Sequence, residues 1–574
     1  MQALAQNCER IAATTRKSEK IAILADYFRA RQLSHAVISA IFLSGQAFPA
    51  FEQRTLQVGG SLLWKVVAEF ADVREGELSA AYRRRGDLGS ATYDVLASRT
   101  NRKISACVTL AEVQRSFDEV AATRTAAAKA TVLSALLNRS TALEAKYILK
   151  IITGELRIGL KGSLVEEAIA RAYDEPFAQV QRVNMLLGDI GATLKLAAEH
   201  RLGDARMRLF HPIGFMLASP AADAMEAFEY FERAQVEDKY DGIRAQAHCG
   251  GGQVRLFSRT LDDVTQSFPE LIAPLLELPD EVILDGEIVA WRSNEDGGHA
   301  MPFSEIQKRL GRKQVDEKMT REVPIAYVVF DVIYAEQTLT LDMPLAHRSE
   351  LLTRVFSGAQ GIAPKPLKDA QARLLFEPEA KQASLSGWIL RAPAVRVGSP
   401  DQLGAAFSEA MARGNEGLMI KDLQSSYMPG RRGRWWLKLK RELATLDVVV
   451  TAAEYGHGKR IHVLSDYTFA VRKGEDLVDI GKAYSGLTDA EIAEMTEWFL
   501  AHTRADHGYL REVEPAIVLE VAFNAIMRSD RHNSGYALRF PRIVRIRPDK
   551  SAAEINTVQD VEAIYLRQHG RGEP

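Results

Sequence analysis

The sequence predicts three domains in a row: an all-helical one, an α/β one built on a largely antiparallel sheet, and a C-terminal β-barrel. Three observations predict this. Apolar residues recur at helical spacing up to about residue 205. Short β-rich runs alternating with helices begin near 212. A second group of strands broken by one helix follows Lys440. At 574 residues the chain is too long for one core, and about 150 residues per domain suggests three or four domains.

In the first part Ile21, Leu24, Ala25 and Phe28 stand at i, i+3, i+4 and i+7, the stripe of an amphipathic helix. Similar stripes lie near 62–72, 109–121, 129–137 and 142–152. Thr141-x-x-Glu144 and Ser163-x-x-Glu166 both read as capping boxes opening apolar helices. Between them Gly154-Glu155-Leu156-Arg157-Ile158-Gly159-Leu160-Lys161-Gly162 places glycines and two cations ahead of a helix N-terminus. Free N–H groups there favour a phosphate, although a plain helix–turn–helix corner fits the string equally.

In the second part the strand runs are Gln253–Phe257, Glu281–Trp291, Ala326–Tyr334 and Trp388–Val397. Ser304–Leu310 and Leu403–Arg413 read as helices, and Cys249-Gly250-Gly251-Gly252 as a hairpin turn. In the third part Leu446–Tyr455, Tyr467–Arg472, Leu477–Tyr484, Ala516–Phe523 and Ala537–Arg547 read as strands around one helix, Asp489–His502. That content matches an OB-type barrel. The joints fall near 205–215 and 440–446, giving domains 1–205, 206–441 and 442–574.

Composition narrows the class. Hydrophobic residues make up 47% and charged residues 26%, as in ordinary globular proteins. Cys8, Cys107 and Cys249 are scattered, which argues against a zinc site or a disulfide framework. The N-terminus lacks the apolar run of a signal peptide, and no segment approaches the roughly 20 apolar residues of a membrane span. A cytoplasmic, prokaryotic protein is expected. The 73 basic and 75 acidic residues balance to a net charge of −2, yet cations cluster at 431–441 and 539–550.

Chemistry concentrates in Glu237-Asp238-Lys239-Tyr240-Asp241-Gly242-Ile243-Arg244, which follows the apolar turn around Phe231. A lysine nucleophile must be a neutral amine, and nearby cations with partial burial favour that form. By itself the string also fits a solvated charged turn. Further strings follow in order: Phe257-Ser258-Arg259, Ile283-Leu284-Asp285-Gly286-Glu287, Val328-Val329-Phe330-Asp331, Asn415-Glu416-Gly417-Leu418-Met419-Ile420-Lys421, Trp436-Leu437-Lys438-Leu439-Lys440, and Arg539-Phe540-Pro541-Arg542 running to Arg547-Pro548-Asp549-Lys550. Charges embedded in apolar strands are costly unless paired or functional.

This ordered set resembles the covalent nucleotidyltransferases, and most closely the ATP-dependent DNA ligases. Lys-Tyr-Asp-Gly-Ile-Arg matches their KxDGxR motif, and the resemblance covers nearly the whole chain. It implies nick sealing in duplex DNA through a lysyl-AMP on Lys239 and a 5′-adenylylated DNA. ATP is the substrate, with Mg²⁺ (or Mn²⁺). Glu237 would accept from the adenine amino group and Phe330 would stack on the ring, though Phe330 also fits plain core. Arg244 and Arg259 would face the ribose and phosphates, and Glu287 and Glu416 the ribose and the metal. Arg432, Lys438 and Lys440 would hold the α-phosphate. Arg539, Arg542, Asp549 and Lys550 would orient pyrophosphate. Phe303 and Phe540 stand where related ligases meet the minor groove, with core packing as the other reading for Phe303.

Arg157, Gly159 and Lys161 resemble a DNA-backbone segment of the larger ligases of this type. One departure is Pro212-Ile213-Gly214-Phe215, which lacks a second proline and is expected to loosen the first joint. A monomer is expected, closing around nicked duplex DNA, with no sliding-clamp peptide evident. RNA ligases and capping guanylyltransferases share the lysine motif but not the helical domain. NAD-dependent ligases carry zinc-finger and BRCT modules for which this chain has no counterpart.

Overall fold

The computed structural model describes residues 1–98, 108–230, 233–278, 281–292, 298–310, 315–358, 368–369, 389–440, 444–456, 460 and 462–569. Cys107, Phe231, Trp388 and Arg441 lie outside the described residues. The chain forms two compact units, Met1–Lys440 and Arg441–Pro574.

The first unit begins with helices, twelve α-helices among the described residues from Gln2 to Ala198. Ile21, Leu24, Ala25 and Phe28 lie on the helix Lys17–Arg29 and are all buried. The other stripes become Gly60–Ala71, Leu110–Ala122, Ala126–Asn138 and Ala142–Ile152. Their apolar faces merge into one core that runs from Met1 to Leu202. Thr141 and Glu144 form the expected capping box. The Ser163–Glu166 box does not form. The helix Gly162–Ala172 starts two residues early, with Lys161 at the N-cap, which puts Ser163 inside its first turn. Glu166 is instead occupied by Gln181 and Asn184, at 3.2 and 2.8 Å.

The sheet region follows, and here two sheets replace the single one expected. The first has the order β1 (Leu217–Ala221), β13 (Arg432–Lys440), β12 (Gly417–Asp422), β2 (Ala234–Asp238), β11 (Ala394–Val397), β9 (Lys368–Asp369). The second runs β10 (Ile389–Arg391), β7 (Ile325–Ala335), β5 (Val282–Arg292), β3 (Ile243–Gly250), β4 (Gln253–Ser258), with β6 (His299–Ala300) on β5 and β8 (Thr338–Leu339) on β7. Pairing is antiparallel except β1/β13, β10/β7 and β11/β9. The expected strand Trp388–Val397 is two strands in different sheets, because the chain crosses over at Ala392-Pro393, where proline has no N–H for a ladder. The turn between β3 and β4 is tighter than expected. β3 continues through Gly250, leaving Gly251 and Gly252 at φ +55° and +71°, both positive as a two-residue hairpin turn requires.

The first joint is pinned where looseness was expected. Gln246 accepts from the Ile213 N–H (2.9 Å) and donates to the Ile213 carbonyl (3.0 Å). The Phe215 ring, at the position of the missing proline, lies 4.9 Å from the Arg244 guanidinium carbon.

The second unit is strand-rich. β14 (Ala444–Tyr455) pairs with β15 (Leu464–Lys473) on one side. On its other side the first half meets β19 (Val518–Phe523) and the second half β18 (Leu510–Val513). β16 (Asp476–Ala483) and β17 (Thr503–Asp506) extend the sheet, and the helix Asp489–Ala501 packs on it. The expected strand Ala537–Arg547 breaks at Phe540-Pro541, where Phe540 has φ +50°. Its halves are β21 (Tyr536–Arg539), paired with β20 (Ala525–Arg528), and β22 (Arg542–Ile546), paired with β19. β17, β18, β20 and the terminal helix Val558–His569 were not anticipated.

Candidate active site

Lys239 follows the last residue of β2, and the start of β12 fixes its backbone. Its N–H donates to the Gly417 carbonyl (2.8 Å), and its carbonyl accepts from the Glu416 N–H (2.9 Å). Asp238, the residue before it, takes a two-pronged bond from Arg413 (2.9 and 2.7 Å) and one from Asn415 (2.8 Å). Two glycines of the motifs make this approach possible. A Cβ on Gly242 would strike the Ile288 carbonyl, and one on Gly417, at φ +141°, the Leu439 carbonyl. The Lys239 ammonium donates to Glu416, and that carboxylate also receives Lys440 at 2.7 Å. Lys239 and Glu416 are each about a fifth exposed, at 20%.

Strands far apart in sequence thus converge here. Burial pushes the Glu416 carboxyl up, but Lys239 and Lys440 more than reverse this and hold it low. Burial pushes Glu287, on β5, up to about 7, with Asp285 and Asp241 adding to the rise and Lys239 and Arg244 opposing it. Lys438 is lowered by burial and then by the charges of Lys440, Arg432, Lys239 and Arg259. Arg259 and Arg432 are exposed at the rim of this cationic group. Arg244 is already engaged. It holds Asp285 with two bonds (3.0 and 2.7 Å) and the Met216 carbonyl with a third (2.7 Å), while Tyr427 donates to the same Asp285 at 2.7 Å. That geometry fits a brace under the sheet better than a hand reaching for phosphate.

Beside Lys239, Glu237 is 4% exposed and accepts from Lys421 (2.6 Å) and Gln235 (2.7 Å). Burial raises its carboxyl, with Lys421 opposing. The Lys421 ammonium lies 4.3 Å from the Phe330 ring centre and 4.5 Å from that of Trp436, and Phe330 and Trp436 meet edge to face. Phe330 is part-buried, and the Arg244 guanidinium carbon lies 5.4 Å from its ring centre. Lys421, Gln235, Asp285 and Tyr427 received no role from sequence. Lys421 could have been found as a charge at the end of the apolar run Leu418–Ile420, and Asp285 by the same signal in its own strand.

Comparison with known families accounts for this arrangement. Residues 215–440 match the model described as ATP dependent DNA ligase domain, residues 1–170 the DNA ligase N terminus, and residues 460–550 the ATP dependent DNA ligase C terminal region. The chain belongs to the ATP-dependent DNA ligases. A probable DNA ligase of Koribacter versatilis (strain Ellin345) is 58% identical over 99% of this chain and 97% of its own. A DNA ligase of Methanothermobacter thermautotrophicus (strain ATCC 29096 / DSM 1053 / JCM 10044 / NBRC 100330 / Delta H) is 33% identical over 98% and 97%. A solved structure titled Pmar-Lig_PreS3 has the same fold, at TM-score 0.59 and 15% identity over 95% of this chain and 99% of its own. The ligase is an ATP-dependent enzyme that binds DNA and seals nicks in it.

The other residues singled out in the sequence lie in the helical region, against the second sheet, or in the second unit. Arg157 (φ +50°), Gly159 (φ +65°) and Lys161 are exposed just before the helix Gly162–Ala172. Arg157 is partly spent, bonding the Gly86 carbonyl at 2.6 Å and Glu155 at 2.7 Å. Phe303 is part-buried and packs on the core of the second sheet, whereas Phe540 is 67% exposed with Arg539 stacked on it. Arg542 is exposed at the start of β22. Asp549 accepts from Arg547, which holds its carboxyl down to about 2, and Lys550 and Arg547 share Asp447 at 2.6 and 3.0 Å. Arg547 is the centre of this group and was missed, although it stands in the quoted motif. Among the described residues, no helix is long and apolar enough to cross a membrane.

Proposed function

We propose that Lys239 is the nucleophile of nucleotidyl transfer. Its amine attacks the α-phosphorus of ATP, a P–N bond forms, and the bond to pyrophosphate breaks. AMP then passes to the 5′-phosphate of a nick, and the 3′-hydroxyl displaces it. The carrying observation is the convergence of Glu416, Lys440 and Lys438 on Lys239. Glu416 holds the Lys239 amine beside Lys440, so that the amine, its carboxylate partner and a second cation share one corner of the site. Lys438, Lys440, Arg432 and Arg259 offset charge on the α-phosphate in the transition state. Glu237 receives the adenine amino group and Phe330 stacks on the ring, while Arg244 braces the floor through Asp285.

Glu287 and Glu416 are the metal ligands in this reading. Both lie in the field of Lys239, and among the described residues no cluster of three acidic, histidine or cysteine side chains offers a complete cage. Two hard carboxylates with the rest left to water and phosphate suit Mg²⁺ or Mn²⁺, which would polarise the phosphate oxygens.

Residues 1–205, 206–441 and 442–574 act as DNA-binding, adenylation and OB-type domains that close around the nick. Arg157, Gly159, Lys161, Phe303 and Phe540 contact DNA, and Arg539, Arg542, Asp549 and Lys550 orient pyrophosphate. We infer a monomer working in a prokaryotic cytoplasm at the nucleoid; the Koribacter relative supports the prokaryotic part of this reading. Labelling with α-labelled ATP tests the assignment. Lys239→Ala should abolish it while nicked-duplex binding persists, and retained labelling places the nucleophile elsewhere.

A further inference from the structure

We propose that Gln235 is a base-specificity residue: its amide oxygen accepts from the amino group at position 6 of the purine, beside Glu237, favouring adenine over a 6-oxo purine. This rests on the reading that the nucleotide binds next to Lys239. Gln235 and Glu237 are two apart on β2 and so share a face. Gln235 is 2% exposed, and its Nε2 donates to the Glu237 carboxylate at 2.7 Å. The opposite amide orientation would turn oxygen against carboxylate oxygen, so the charge on Glu237 fixes which end faces away. That end, Oε1, is buried and has no hydrogen-bond partner among the described residues. A buried acceptor left unpaired is costly, which points to a donor arriving with the ligand.

The surroundings define that donor. Lys421, 1% exposed, takes the second Glu237 oxygen at 2.6 Å and favours the ionised, accepting form. The same ammonium lies 4.3 Å from the centre of the Phe330 ring, which ties Glu237, and through it Gln235, to the proposed stacking surface. A 6-amino group has two N–H bonds, enough for Glu237 and Gln235 together. A 6-oxo group is an acceptor and would meet two acceptors. Arg396, opposite Gln235 on β11, is the competing donor, because its buried Nε is also without a partner.

The test is lysyl-nucleotide formation by the full chain with ATP and with ITP at fixed Mg²⁺, comparing kcat/KM for wild type, Gln235→Met and Gln235→Leu. The ATP:ITP ratio within one preparation is independent of the active fraction, and either variant suffices if the other does not fold. In the variants the preference for ATP should fall on the order of tenfold, through a higher KM for ATP. An unchanged ratio overturns the proposal. A wild type that forms no adduct with either nucleotide overturns the proposed function, and this inference with it.

Discussion

Replacing Glu287 by Gln should stabilise the protein at alkaline pH while it disables nucleotide transfer. Burial raises this carboxyl from 4.5 to about 7. The folded state therefore holds the proton more tightly than the unfolded one. The stability it contributes is fully present below about pH 4.5 and is lost as pH rises through about 7. At roughly 1.4 kcal/mol per pH unit the ionised carboxylate costs up to about 3 kcal/mol at pH 8, and its partial access to water reduces this to about 1–2 kcal/mol. The amide of the variant carries no charge and avoids that cost. For a unit of some 440 residues the change corresponds to a Tm increase of about 1–2 °C. Thermal melts of wild type and Glu287→Gln in nucleotide-free, metal-free buffer at pH 5 and pH 8 provide the assay. The difference should appear at pH 8 and be nearly absent at pH 5. An equal difference at both values, or a less stable variant at pH 8, refutes the claim that a buried charge is kept here for function.

Further predictions test other parts of the site. Gly417→Ala should cost about 3 kcal/mol or more, because a Cβ at φ +141° meets the Leu439 carbonyl; a denaturation midpoint within error of wild type would contradict the fixed approach of β12 to Lys239. Glu416→Ala should leave far-UV circular dichroism unchanged and slow nick sealing about 100-fold at limiting Mg²⁺; undiminished sealing would remove Glu416 from the chemistry. Lys161→Ala should reduce the slope of log affinity for nicked duplex against log salt by about 0.9, and an unaltered slope would leave Lys161 without a phosphate contact.

The fold was legible where periodicity is strong. Helical stripes such as Ile21–Phe28 carry their own register, and long strands such as β5 and β7 announce themselves as apolar runs. Breaks inside a run were less visible. Pro393 and Pro541 each divide a stretch that reads as one strand, and the sign was the missing proline N–H. The short strands β17 and β18 pair with each other and β20 with β21, but each is only four residues long, too short for an alternating pattern to show. At the site, Lys239, Glu287, Glu416 and Lys438 were singled out because the order of their motifs resembles that of the ATP-dependent DNA ligases, and the structure brings Lys239 and Glu416 into contact. The pairing of those charges was not legible. That Asp285 occupies Arg244, that Lys421 occupies Glu237, and that Ser163 loses its partner Glu166 to Gln181 and Asn184 all depend on strand register and helix packing.

Mass spectrometry of the purified chain after incubation with ATP and Mg²⁺ tests the central claim most directly. The account predicts one AMP adduct on the peptide containing Lys239, lost in Lys239→Ala. An adduct mapped to any other lysine, or none under conditions where the protein seals nicks, would contradict it.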